Sequence, residues 1–556
     1  MSGGTVSGEV EAVRRRAAEL AARLSPPARR SATIAQERAI LRMFGVDGLD
    51  RAGHPLAASM AERYCSPDRE RLARGVLLPF VVALLEYDLP ARDLGLEVAS
   101  GAIDLGLEAE LLDRPERLAA AEAHAARLLA AALARFDANR TAARDMRDVL
   151  GQADEPWLGV ALRAADVEPA AEETKSLVRE GADVVQVRVP ASWEFAEARR
   201  QAGLETPGLF EVDGRLGKGG RDSFGRGSVR RVADRRRGGR GRPALPQRLE
   251  DDLVPAGSQR GLAALRNAAD DAAAERGCYA SLMTVTSAFA APEQAVVAAF
   301  ERIDLVEADP IREIVEDNVD PERALADHAF AHRLQARAGC RVVMGPGPLA
   351  LGADVASGIP SDAATRAGRA LALQALGVEL ALADGLAADR LLLGAVPSWV
   401  AGDGDARAIL VQAWLRSVVF PAHRLVVGEP QVDGQPRGRA SALVTALSGA
   451  AAALVVRDRT GASVSASAAD LGAAASTAAA LRAALGDGAL HGEAAELAMR
   501  TLHAANAALE RLAGEGWGSL LGPAGRGNEA ERFGGGAVVE RAAGPTSSVR
   551  LLAGLA

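Results

Sequence analysis

Tyr279-Ala280-Ser281-Leu282-Met283-Thr284-Val285, the segment Pro292 to Phe300, and then Ile303-Asp304-Leu305-Val306 form one strand–helix–strand unit. The two short apolar runs fit strands buried on both faces, and the segment between them carries apolar residues at helical spacing. The same rhythm extends outward in both directions. Upstream lie candidate strands Leu158–Ala164 and Asp183–Val189; downstream lie Arg341–Met344, Arg390–Ala395, Arg424–Val427 and Ala453–Val456. Candidate helices alternate with them at Glu172–Glu180, Gly261–Arg276, Pro321–Ala338, Asp362–Leu382, Asp405–Val419 and Arg439–Ala452, with Ala466–Leu485 after the last strand. Eight strand–helix units in series predict an α/β fold, a closed (β/α)8 TIM-type barrel; an open doubly wound sheet is the alternative.

Around this unit the chain divides into three parts. Residues 1–150 read as an all-helical accessory domain, with helical periodicity in Val10–Leu24, Ala35–Phe44, Gly75–Tyr87 and Glu116–Phe136, no convincing strand, and turns at Pro26-Pro27, Gly45–Gly48 and Asp88–Pro90. Residues 151–490 are the barrel, interrupted near 208–255 by an Arg/Gly-rich insertion. Residues 491–556 are a C-terminal helix and a tail expected to fold back on the barrel.

With 49% hydrophobic and 25% charged residues, the 556-residue chain has the composition of a globular protein. Its net charge of −8 argues against a general nucleic-acid or anionic-membrane surface. The longest apolar run, Gly75 to Leu85, falls far short of the roughly 20 residues that span a bilayer. The start of the chain lacks the pattern of a signal peptide. Cys65, Cys278 and Cys340 are far apart, with no metal-ligand spacing. Together these features predict a cytoplasmic location and no membrane partner.

In a barrel, the residues just past each strand's C-terminal end line the active site. Here they are Asp166, Arg188, Ser287, Asp309, Gly345-Pro346-Gly347, Ser398, Glu429 and Arg457-Asp458-Arg459. Any one of them is as readily a surface-loop residue or a helix cap. His328 and His332, four apart beside Asp327, have the spacing of a metal pair, but no third ligand follows; ordinary helix-surface histidines are the favoured reading, and no metal is expected. Gly217-Lys218 resembles part of a phosphate loop but lacks its earlier glycine and following hydroxyl residue. Ten arginines between Arg221 and Arg248 have only Phe224 among them as a stacking residue, so a solvated loop is favoured over nucleic-acid binding.

Thr33 to Asp50, with Gln36-Glu37-Arg38-Ala39 and Gly45-Val46-Asp47-Gly48, followed by Pro55-Leu56, resembles the N-terminal signature of lysine 5,6-aminomutase α subunits. Gly181–Val184 leading to Arg188, Tyr279 through Ser287 to Glu293 and Asp309, and Phe420-Pro421 follow in family order. The resemblance implies a barrel subunit working with adenosylcobalamin, held mainly by a cobalamin-binding β subunit, and with pyridoxal 5′-phosphate. The implied reaction is a radical 1,2-amino shift on lysine, β-lysine or a similar diamino acid. By the same resemblance Arg188 and Ser192 lie at the cofactor phosphate and Ser287 at the pyridine nitrogen. The resemblance also implies that Asp309 and Arg312 stand at the substrate. The catalytic residues are not assigned.

The chain also departs from the family. Arg312 replaces the tyrosine that stacks on the pyridine ring, Asp317 replaces the arginine that receives the substrate carboxylate, and Gly347-Pro348-Leu349 replaces an acid–amide pair. Arg312 has two readings open to it: stacking through its planar guanidinium or binding a carboxylate. A diverged or non-catalytic barrel subunit, and a protein acting on nucleic acid through the Arg-rich loop, are the alternatives. Only Lys175 and Lys218 among the 65 basic residues are lysines. Lys175 falls within a helix and Lys218 within a Gly-rich loop, so the lysine that pyridoxal phosphate requires is expected from the β subunit.

Overall fold

The structure is a computed structural model that describes residues 3–50, 55–65, 68–162, 167–188, 259–286, 290–315, 319–345, 362–394, 406–428, 431–432, 435–436, 450–455, 471–474, 476, 492–517 and 538–542. Eight parallel strands close into a barrel: β1 (Trp157–Ala161), β2 (Val184–Arg188), β3 (Ser281–Val285), β4 (Leu305–Glu307), β5 (Arg341–Met344), β6 (Leu391–Leu393), β7 (Arg424–Gly428) and β8 (Ala452–Val455), with β8 pairing back onto β1. The predicted TIM barrel is therefore present, and the open sheet is not.

Alternation along each strand separates two apolar layers. Trp157, Val184, Met283, Leu305, Val343, Leu392, Val426 and Ala452, one from each strand, form the cluster that fills the barrel. Their neighbours Leu158, Val185, Leu282, Val306, Val342 and Leu391 join the larger cluster under the surrounding helices. Gly159 of β1 leaves the room that Leu454 of β8 occupies; a Cβ there collides with the leucine side chain.

The helices are α1 (Gly3–Arg30), α2 (Ile34–Met43), α3 (Leu56–Cys65), α4 (Arg69–Arg74), α5 (Leu77–Tyr87), α6 (Ala91–Ser100), α7 (Leu105–Glu110), α8 (Pro115–Leu150), α9 (Val167–Glu180), α10 (Gln259–Arg276), α11 (Ala291–Phe300), α12 (Pro310–Val315), α13 (Pro321–Ala338), α14 (Ala363–Ala383), α15 (Ala406–Val419) and α16 (Gly492–Glu515). Their ends follow local chemistry. Asp320 caps α13 by accepting from the Arg323 amide at 3.1 Å, with Pro321 in the first turn, and Gly339 closes it in the left-handed region at φ 74°. Asp362 caps α14 through the Thr365 amide at 2.7 Å.

Helix α1 joins the barrel's outer cluster through Val10, Val13, Ala17, Leu20 and Ala21. Residues from Ala32 to Phe136 build a second core that borrows Ala295 and Phe300 of α11 and Phe330 and Leu334 of α13. Several expectations are corrected here. Pro26 and Pro27 lie inside α1, which continues three residues past them to Arg30 although their missing N–H groups remove two i→i−4 bonds. A strand does form in this region: Ser31–Ala32 pairs antiparallel with Val539–Glu540. The described part of the tail thus returns to the N-terminal helices, not to the barrel. The reason is the buried Glu37 carboxylate, which accepts from Arg541 Nη1 at 2.9 Å and from the Val76 amide at 2.7 Å. No helix among the described residues is long and apolar enough to cross a membrane.

Candidate active site

Pairing register sets the mouth. Arg188, the last residue of β2, stands level with Val285 of β3, and Val285 stands level with Glu307 of β4. Three adjacent strands therefore deliver Arg188, the chain leading to Ser287, and the Glu307–Arg312 segment to one side of the C-terminal rim. The Arg188 side chain, Ser192 and Ser287 lie outside the described residues. So do Asp166, Asp317, Gly347-Pro348-Leu349, Ser398, Glu429, Arg457-Asp458-Arg459 and Lys218.

Arg312 is built into this rim. Its Nη1 meets Glu307 Oε1 at 3.2 Å, and its Nη2 donates to the Thr286 carbonyl at 2.6 Å. Thr286 in turn donates to the Glu307 carbonyl from its amide at 2.8 Å and from its hydroxyl at 3.0 Å. The result is a staple between the ends of β3 and β4, with the guanidinium plane held from two directions. Glu307 carries no motif in the sequence; its place as the last residue of β4 is the signal that marks it.

Asp309 takes a different position. It precedes α12 and caps it, Oδ1 accepting from the Ile311 amide at 2.9 Å. The carboxyl is 2% exposed and lies beside α14, where a Cβ on Gly377 would stand 3.4 Å from Oδ1. Burial pushes its pKa up to about 7, against the pull of the Ile311 N–H and the Arg312 charge. Asp309 therefore holds α12, and Arg312 upon it, in register with the rim.

Lys175 sits on α9, with Glu172 at 3.7 Å and Asp271 of α10 at 3.9 Å, in the outer helix layer away from the strand ends. The expectation of surface histidines on α13 is corrected: His328 and His332 are buried, 1% and 0% exposed. His328 Nε2 lies 2.9 Å from Glu313 Oε1 and His332 Nδ1 lies 3.1 Å from Asp384 Oδ2. Burial holds the His328 ring down to about 3 and the His332 ring below its ordinary value, so both are neutral packing residues near pH 7. They face inward because α13 is sandwiched between α11 and α1, leaving little surface. Among the described residues no group of three or more His, Cys, Asp or Glu side chains has metal-site geometry.

The N-terminal signature is a docking seam. Gln36 donates to the Ala326 carbonyl of α13 at 2.7 Å, and Thr33 Oγ1 donates to Asp327. Arg38 and Arg42 both reach Glu293 of α11, at 2.8 and 3.0 Å. Burial acts to raise the Glu293 pKa, but the two guanidiniums prevail and hold its carboxyl below the usual range. These residues fix the accessory helices to the barrel instead of touching the mouth.

The model of the D-lysine 5,6-aminomutase α-subunit TIM-barrel domain matches residues 6–192 and 256–426. The lysine 5,6-aminomutase α subunit of Fusobacterium nucleatum is 23% identical over 391 residues, covering 70% of this chain and 64% of that protein, so the chain spans under two thirds of the relative's length. Among solved structures, Yersinia pestis DHPS is 15% identical at a TM-score of 0.33, covering 58% of this chain and 94% of that one. Dihydropteroate synthase from Anaplasma phagocytophilum is 12% identical at a TM-score of 0.32, covering 57% and 97%. With more than half of its residues matched, in the two segments that flank the Arg-rich insertion, this chain belongs to the lysine 5,6-aminomutase α-subunit family.

Proposed function

We propose that the chain is the barrel subunit of an aminomutase that uses pyridoxal 5′-phosphate and adenosylcobalamin to move an amino group between adjacent side-chain carbons of lysine, β-lysine or a similar diamino acid. The observation that carries this reading is the shared rim, where Arg188 ends β2 level with the β3 segment leading to Ser287 and with the Glu307–Arg312 staple. Pyridoxal phosphate would make the substrate amine reactive, and adenosylcobalamin would supply the radical that starts the reaction. The arrangement suits the first of these: an arginine for a phosphate dianion, with Ser192 four residues on, and a serine for a ring nitrogen.

In this reading the chain's own residues bind, orient and enclose. Arg188 holds the cofactor phosphate with Ser192. Ser287 gives the ring nitrogen a neutral partner. Arg312, fixed by Glu307 and the Thr286 carbonyl, stands at the substrate end, and Asp309 positions it through the cap of α12. The closed barrel, filled by its own side chains below the rim, would admit no water to the mouth from beneath.

The β subunit supplies the lysine that pyridoxal phosphate needs, because Lys175 is committed to the outer helix layer and Lys218, the other lysine, belongs to the Gly-rich insertion sequence. Borohydride reduction of the assembled complex followed by peptide mapping tests this. A phosphopyridoxyl group on a β-subunit lysine is expected; one on Lys175 or Lys218 overturns the two-chain reading.

A further inference from the structure

At the barrel end opposite the mouth lies a cavity of about 300 Å³, between the second half of α8 and the turns that enter β4, β5 and β6. Its charged lining is Arg140, Arg144, Arg147, Arg302 and Arg390 against the single carboxylate Asp304. Two of these arginines are satisfied within hydrogen-bond distance: Arg147 by Asp304 at 2.8 Å and Arg302 by Asp270 at 2.6 Å. Among the described residues the carboxylates in ion-pair range of the other three are Asp137 and Asp145 at 3.6 Å and Asp389 at 3.9 Å, all 37–79% exposed, and pairing in water is weak.

A second observation shows that the positive charge is in excess. Arg341, the first residue of β5, lies over the Trp157 ring at 5.0 Å and has no carboxylate in ion-pair range among the described residues. Burial, and then the charges of Arg147 and Arg390, hold its guanidinium below the ordinary value. The C-terminal ends of α11 and α13 face this region, and Arg140 and Arg390 donate to the Arg337 and Gly339 carbonyls at 3.3 and 3.0 Å. Two helix ends offset about one unit charge. Several guanidiniums remain, in a chain whose net charge is −8.

From the cavity and its uncompensated arginines we infer a binding site for a small, multiply charged oxyanion of the phosphate class, such as a pyrophosphate or phosphate-ester group. Planar guanidiniums on several walls match the bidentate geometry of phosphate oxygens. The volume, at the low end for ligand pockets, fits such a group better than a large cofactor. On the barrel's N-terminal face, away from the chemistry, the anion acts on stability or regulation and not on catalysis.

The test is calorimetric titration of the full chain with inorganic pyrophosphate at constant ionic strength. Saturable one-to-one binding is expected, weakened at least tenfold by Arg144→Glu, with Arg144→Lys intermediate and all melting temperatures alike in the absence of ligand. Arg188→Ala, at the mouth, leaves this affinity unchanged. Absence of saturable binding overturns the inference. So does binding lost in Arg188→Ala but kept in Arg144→Glu, which puts the anion at the mouth. Displacement of pyrophosphate by an acidic peptide that itself binds more tightly at Arg144 also overturns it, in favour of a partner protein's acidic segment.

Discussion

Replacing Asp309 by asparagine keeps the side-chain oxygen that accepts from the Ile311 amide and removes only the titration. The carboxyl is buried, with its pKa raised from 3.8 to about 7. Its protonated form is thus favoured in the folded state. The stability this gives is fully present below about pH 4 and is lost as pH rises towards 7, at about 1.4 kcal/mol per unit. Between pH 5 and pH 8 the wild type should therefore lose roughly 2–3 kcal/mol relative to Asp309→Asn. Urea midpoints of both proteins at the two pH values give the difference directly, and other titrating groups cancel in the comparison. Parallel pH profiles would refute the reasoning and place Asp309 in a wetter setting than the seam against Gly377.

Two further outcomes follow from named contacts. Arg541→Ala removes the cation from Glu37, 0% exposed, and should destabilise the chain by roughly 3–5 kcal/mol in thermal unfolding; adding Glu37→Gln should recover part of the loss. Arg188→Ala should weaken pyridoxal phosphate retention by the assembled complex by roughly 1.5–3 kcal/mol, read by cofactor titration, with circular dichroism unchanged.

The barrel was legible because each strand is a short apolar run buried on both faces and each helix carries its own periodicity, so Tyr279 to Val306 alone displays the repeating unit. Strand positions agreed to within a few residues: β4 begins at Leu305 rather than Ile303, and β8 at Ala452 rather than Ala453. Long-range satisfaction of charge was not legible. Nothing near Glu37 announces that its partner lies 504 residues away in the tail, and that pairing is what brings the tail back to α2. His328 and His332 show the same limit, since Arg323, Asp327 and Gln335 on the same helix are buried as well, so polar residues there do not mark an exposed face. At the rim, Arg312 was marked by the resemblance, but Glu307 and Thr286 emerged only when β3 and β4 stood side by side.

Incubating the chain with its cobalamin-binding partner, both cofactors and ¹³C-labelled lysine or β-lysine, and following the carbon that carries the terminal nitrogen by NMR, tests the central claim most directly. The account predicts that the amino group moves to the adjacent carbon, only when both chains and both cofactors are present. A complex that assembles and loads both cofactors yet leaves the label in place on both substrates and on related diamino acids would contradict it, and would make this chain a barrel subunit that has kept the family's fold without its reaction.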